Sequence, residues 1–180
     1  MPGVLGKYVD AFVDGIEAEL GTLSGKDHRA EATIEAGDLI AAVFDSDGRL
    51  SRDELRAWLD DIGPRLEPPV IITPDRLRAG GMLQGKRSWL DRPSTLFDLL
   101  LKADARDNGR RAARYYELAM RLAHAAAAAD LVPSPDEIAA IDRYRSVLLT
   151  GFDAAGVSRP GAHGPGAPVV ATAAATTTEP

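Results

Sequence analysis

The chain of 180 residues contains no cysteine, which excludes disulfides and thiolate metal sites and removes any argument for an oxidising compartment. It has no run of about 18 apolar residues, the length a membrane-spanning helix needs, and its N-terminus lacks the basic-then-apolar build of a secretion signal. A cytoplasmic location is the expectation. Positive charge is not in excess: 21 Lys and Arg stand against 27 Asp and Glu, a formal net charge of -6. That balance repels a phosphate backbone and argues against general nucleic-acid binding. Two segments that lean basic, 75–92 and 102–114, read as solvated faces. Catalytic signatures are missing as well. There is no G-x-x-x-x-G-K-[ST] phosphate loop, no G-x-S-x-G elbow and no H-E-x-x-H, and His28, His124 and His163 do not fall at zinc-ligand spacing. No enzyme is expected.

What is present is helical periodicity. Val4, Leu5, Tyr8, Val9, Phe12, Val13, Ile16 and Leu20 recur every three or four residues and draw one apolar stripe. Ala30, Ile34, Leu39, Ile40, Val43 and Phe44 mark a second helix over about 27–45, and Leu55, Trp58, Leu59 and Ile62 a short third that stops at Gly63-Pro64. A fourth opens at Pro93-Ser94 with Leu96, Phe97, Leu100 and Leu101, and Asn108-Gly109 breaks it. The fifth runs through Tyr115, Leu118, Leu122 and the alanines 125–129, whose small side chains let another helix approach closely. The sixth starts at Ser134 and uses Ile138, Ile141, Leu148 and Phe152. Strand-like character is confined to Val70-Ile71-Ile72, so the fold class is all-α.

From about residue 157 Pro, Gly, Ala and Thr dominate and no bulky residue recurs at core spacing. Such composition cannot bury enough surface to offset its ordering entropy. The reading is a helical domain over 1–156 and a disordered tail or linker over 157–180, of the kind that tethers one module to another.

The joins after the second and fifth helices share a pattern. Residues 47–55 read DGRLSRDEL and residues 130–138 read DLVPSPDEI, 83 residues apart. With the helices aligned at nearly the same offset, one three-helix unit occurs twice. The shared letters have a structural use. Ser51 and Ser134 suit helix N-caps, and Glu54 and Glu137, three residues on, can reach back to the cap's own amide. Asp53 and Asp136 place negative charge at the positive end of the helix dipole, and Pro135 suits the first helical position.

The first corner, VFDSDGRLSRDEL, also suggests a calcium loop. With Gly48 at the sixth place of an EF-hand loop, Asp45, Asp47, Ser51 and Glu54 take the third, fifth, ninth and twelfth, but the first falls on Val43, which offers no side-chain oxygen. The second copy puts Ala126, Ala128 and Leu131 at the first, third and sixth places. The economical reading is a pair of structural corners with no cofactor. The alternative is a weak divalent-cation site formed by Asp45, Asp47 and Glu54, with Asp130 or Glu137 nearby.

The connection over about 63–93 is long enough to imply hidden structure or a function of its own. Thr73-Pro74-Asp75 opens a short helix within it, and Gly80-Gly81 breaks it. The remainder either packs over the two halves or presents Trp89 with Arg87 to a protein partner, since aromatic and guanidinium groups are favoured at interface hot spots.

The segments AAVFDSDGRLSRDEL and AHAAAAADLVPSPDEI, an acidic D-G-x-x-S-x-x-E corner after an alanine-rich helix and its second copy, resemble the tellurite-resistance TerB-like family over about residues 5–155. That resemblance implies a helical domain with pseudo-repeated halves, linked to metal-ion stress and stress signalling and often fused to other modules. It assigns cation-holding acids to Asp47, Glu54, Asp130 and Glu137. Here Leu131 replaces the usual glycine of the second corner, and Val132-Pro133 make it apolar. The N-terminal halves of some actinobacterial AAA-type ATPases look similar too, which implies a linked or separate ATPase module as partner. A non-enzymatic interaction, adaptor or stress-sensing domain is the functional expectation.

Overall fold

A computed structural model describes residues 4–129 and 132–161. Asp130, Leu131 and the stretch 162–180, most of the assigned tail, lie outside the described residues. Within them are seven α-helices: α1 (Val4–Ser24), α2 (Arg29–Phe44), α3 (Arg52–Asp61), α4 (Pro74–Ala79), α5 (Thr95–Asp107), α6 (Arg111–Ala127) and α7 (Pro135–Ala155). Two 3-10 turns, Gly63–Arg65 and Lys86–Asp91, complete the described elements, and there is no strand among them. The class is all-α. No described helix is long and apolar enough to cross a membrane.

The apolar stripes build one core. Val9, Phe12, Ile16 and Leu20 of α1 are buried, and α1 lies along α6 so closely that a Cβ on Gly15 would stand 2.5 Å from Leu118 Cδ1. α6 is the central rod, touching α1, α2, α5 and α7, and buries Tyr115, Leu118, Leu122 and Ala126. At one end of the core, Phe97, Tyr115 and Phe152 meet with ring centroids 5.2 and 5.5 Å apart. Aromatic pairs at such spacing and tilt add attraction beyond their buried area.

The phase of the second stripe differs from expectation. Ala30 and Ile34 face solvent, Ile34 being 55% exposed, whereas Ala32, Glu35, Ala36 and Leu39 face in. The reason is crowding: α2 is packed by α1, α3, α6 and the 86–91 turn, so from Leu39 to Phe44 every residue is buried and periodicity there carries no phase. Ile138 also lies on the surface, though its repeat mate Leu55 is buried.

The repeat is visible in the backbone. α2 ends at Phe44 and α6 at Ala127, and the caps of α3 and α7 are Ser51 and Ser134, each pair 83 residues apart. Gly25 after α1 and Asn108 after α5, at the same spacing, both adopt left-handed conformation, with φ of 66° and 55°. The residues entering α2 and α6, His28 and Arg110, have φ/ψ of -125°/19° and -130°/23°. Those leaving them, Asp45 and Ala128, have -81°/0° and -91°/5°.

The long connection is structured. Thr73 Oγ1 accepts from Arg76 N at 3.3 Å to cap α4, and Leu77, Leu83 and Leu90 are buried. Val70-Ile71-Ile72 forms no strand, and Ile71 is 86% exposed. After α7, Gly156 turns at φ 66°, Val157 N donates to Phe152 O at 3.0 Å, and Val157 packs on the core. The segment 157–161, assigned from sequence to the tail, therefore folds back on α7.

Candidate functional site

Both corners are capping boxes. Ser51 Oγ accepts from Glu54 N at 3.1 Å while Glu54 Oε2 accepts from Ser51 N, and Ser134 and Glu137 make the same reciprocal pair at 3.1 and 2.6 Å. Glu54 and Glu137 are buried, 4% and 3% exposed, so each carboxylate satisfies an amide in a place water barely reaches. The remaining acids of the first corner are engaged likewise. Asp47 Oδ1 accepts from Arg49 N at 2.7 Å, and Asp45 Oδ2 accepts from Arg87 N at 3.2 Å. No group of three or more His, Asp or Glu side chains among the described residues is placed to share an ion, and Asp130 is outside that set.

Arg87 and Trp89 belong to the turn Lys86–Asp91, which lies between α2 and α7. Trp89 is half-buried, its ring 5.5 Å from that of Tyr144, and Leu90 beside it is fully buried. Of the two readings of this stretch, packing over the halves or a partner anchor, Trp89 takes the first by sitting on the chain's own α7, while Arg87 remains exposed. Lys86 Nζ donates to Asp38 Oδ1 at 2.8 Å and Arg143 Nε to Asp91 Oδ1 at 2.9 Å, fixing the two ends of the turn.

A groove of about 1320 Å³ lies between α6, α3, the start of α1 and the segment 64–72. Its floor is apolar, with Met120 and Ala125 of α6, Ala128 and Ala129 just after it and Ala57 of α3, and one rim carries Ile71 and Ile72. Ala125, Ala128 and Ala129 line this open face, while Ala126 and Ala127 of the same run are buried in the core. Charges flank the floor: Arg121 and His124 on α6, and Asp53, Arg56 and Asp60 on α3. The volume exceeds the 300–1,000 Å³ usual for small-molecule sites, and its elongated apolar floor suits a polypeptide better. Exposed aliphatic groups at its rim, Ile71 at 86% and Ile72 at 37%, are what docking would bury.

A second constellation is sealed in the core. Tyr115 O–H donates to Glu35 Oε1 at 2.5 Å, and Tyr115 lies 3.1 Å from both Ser94 Oγ and Tyr144 Oη. Burial pushes the Glu35 carboxyl above its ordinary range, against the opposing hydrogen bonds from Ser94 and Tyr115. Burial likewise pushes both phenols up. The cluster is buried and knits α2, α5, α6 and α7 together.

The chain matches no protein-family model, no curated protein and no solved structure.

Sequence reasoning reached the capping residues but missed the groove walls and the buried acids Glu35, Asp61 and Asp104. The signals were present. Val70-Ile71-Ile72 after Pro68-Pro69 is an apolar run in a loop, and the alanine run of α6 is too long for a face that merely meets one neighbour. Asp104 stands four residues before the Asn108 turn and ties it off, accepting from Ala112 N at 2.8 Å and Arg111 Nη1 at 3.1 Å.

Proposed function

We propose that this chain is a non-enzymatic, cytoplasmic helical module of TerB-like kind that acts as an adaptor, docking a protein partner in the groove between α6 and α3. The observation that carries the reading is the open, alanine-floored groove edged by exposed Ile71 and Ile72. Large apolar concavities with a charged rim are where protein partners anchor hydrophobic side chains. An ATPase module, linked or separate, is the kind of partner that the family resemblance suggests. The acids of the first corner favour this reading over cation binding, because each already accepts a hydrogen bond from a backbone amide.

Affinity capture from extracts of the cells that make the protein tests it, comparing wild type with Ile71→Asp and Ala128→Trp. Both positions are exposed, so the fold should survive, as thermal melts would check. A protein retained by wild type and lost by both variants is expected. An identical retained set for all three chains refutes docking in this groove.

A further inference from the structure

The repeat pairs each wall of the open groove with a wall that is already covered. Arg121 of α6 and Ala128 at its end stand at the repeat positions of Asp38 of α2 and Asp45 at its end, and Asp60 of α3 stands at that of Arg143 of α7. Between α2 and α7 the turn Lys86–Asp91 lies across these positions, with Lys86 on Asp38 at 2.8 Å, Arg87 N on Asp45 at 3.2 Å and Asp91 on Arg143 at 2.9 Å. Between those ends Trp89 and Leu90 supply the buried apolar contacts. Between α6 and α3 the matching positions line open space. The start of α1, at the turn's own repeat position, forms one side of the groove and leaves Arg121 and Asp60 exposed.

The charges at the two ends are reversed between the halves. Asp38, which receives a lysine, is replaced by Arg121, and Arg143, which receives an aspartate, is replaced by Asp60. We propose that the groove takes a short segment of a partner protein that crosses from α6 to α3 as Lys86–Asp91 crosses from α2 to α7, with its charges inverted. The segment has an acidic residue facing Arg121, two adjacent apolar residues at the third and fourth places after it, and a basic residue next, facing Asp60. This rests on the docking reading and adds the chemistry of the occupant. Complementary end charges set direction and selectivity, while the apolar pair supplies most of the affinity. The chain's own turn cannot serve, since its lysine would meet Arg121 and its aspartate Asp60.

The test uses two ten-residue peptides, capped at both ends. One copies residues 84–93, QGKRSWLDRP, and the other carries Lys86→Asp and Asp91→Lys. Each is titrated to about 1 mM into the isotopically labelled full chain, following amide shifts. Wild type should bind the exchanged peptide about fivefold more tightly than the copied one. Shifts should centre on Ile71, Met120 and Ala128. In Asp60→Lys/Arg121→Asp the preference should invert, which a purely apolar groove would not do. Equal affinities, an unchanged preference in the double variant, or shifts that arise from self-association without peptide would overturn the proposal. If neither peptide binds wild type while capture of a partner still depends on Ile71 and Ala128, the charge rule alone falls. If that dependence is absent, the docking reading beneath it falls.

Discussion

Replacing Ser51 with alanine separates a structural corner from an ion-binding one. The hydroxyl accepts from Glu54 N at 3.1 Å in a place where Glu54 is 4% exposed, so its loss leaves an amide with little access to water. Loss of such a cap typically costs about 1 kcal/mol, and burial places this one toward the upper end of the roughly 0.5–2 kcal/mol range. For a chain of this size that lowers Tm by about 2–6 °C. Glu54→Gln keeps an oxygen that can accept from Ser51 N, so it should cost less, about 0.5 kcal/mol, chiefly from the lost favourable charge at the helix start. Ser134→Ala should match Ser51→Ala, and the double variant should show the sum of the two, since the corners share no partner. Urea unfolding of the four variants measures these values. Calcium, zinc and magnesium titrations followed by the fluorescence of Trp58, four residues after Glu54, should show no saturable response up to low millimolar metal. The reasoning is refuted if Ser51→Ala is neutral, or if wild type responds to metal and Glu54→Gln does not.

Two further predictions concern the core. Glu35→Gln should stabilise the protein increasingly as pH rises. The buried carboxyl holds its proton to higher pH than the unfolded chain's, whose ordinary value is 4.5, so the folded state binds more protons above that value. Wild-type stability must then fall as pH rises from there through the folded pKa, while the amide variant stays flat. Urea midpoints between pH 4 and 8 check it, and a constant gap between the two proteins contradicts it. Gly15→Ala should destabilise by about 1–2 kcal/mol, because overpacking against Leu118 outweighs the roughly 0.5–1 kcal/mol that alanine gains over glycine within a helix. Adding Leu118→Val should recover part of the loss, and a double-mutant cycle with zero coupling would contradict the close α1–α6 approach.

How much was legible in the sequence follows from how each feature is encoded. Local chemistry was readable: Ser51 and Ser134 with Glu three residues on, Thr73-Pro74 before α4, and Asn108-Gly109 after α5 mark helix ends whatever lies around them. The repeat was readable for the same reason, because its shared letters are capping letters. Phase failed on α2, where the all-round burial of Leu39 to Phe44 gives no phase to carry back, so Ile34 was set on the core side and Glu35 is there instead. The groove was hidden because it is defined by what does not touch. The alanine run announced a face suited to close approach, and Ala126 and Ala127 are packed in the core, but only the placement of α3 and 64–72 shows that Ala125, Ala128 and Ala129 stand beside open space. Trp89 was left open between two readings for a related reason. An aromatic beside an arginine in a loop reads the same whether it meets a partner or the chain's own Tyr144.

The claim that the groove is where this module meets its partner is tested most directly by a photo-crosslinking amino acid placed at Ile71, with Leu99 on α5, 46% exposed and apolar but away from the groove, as the comparison position. The account predicts a discrete protein adduct from position 71 in cells and none from position 99. Adducts of the same mass from both positions, or none from position 71, would contradict it.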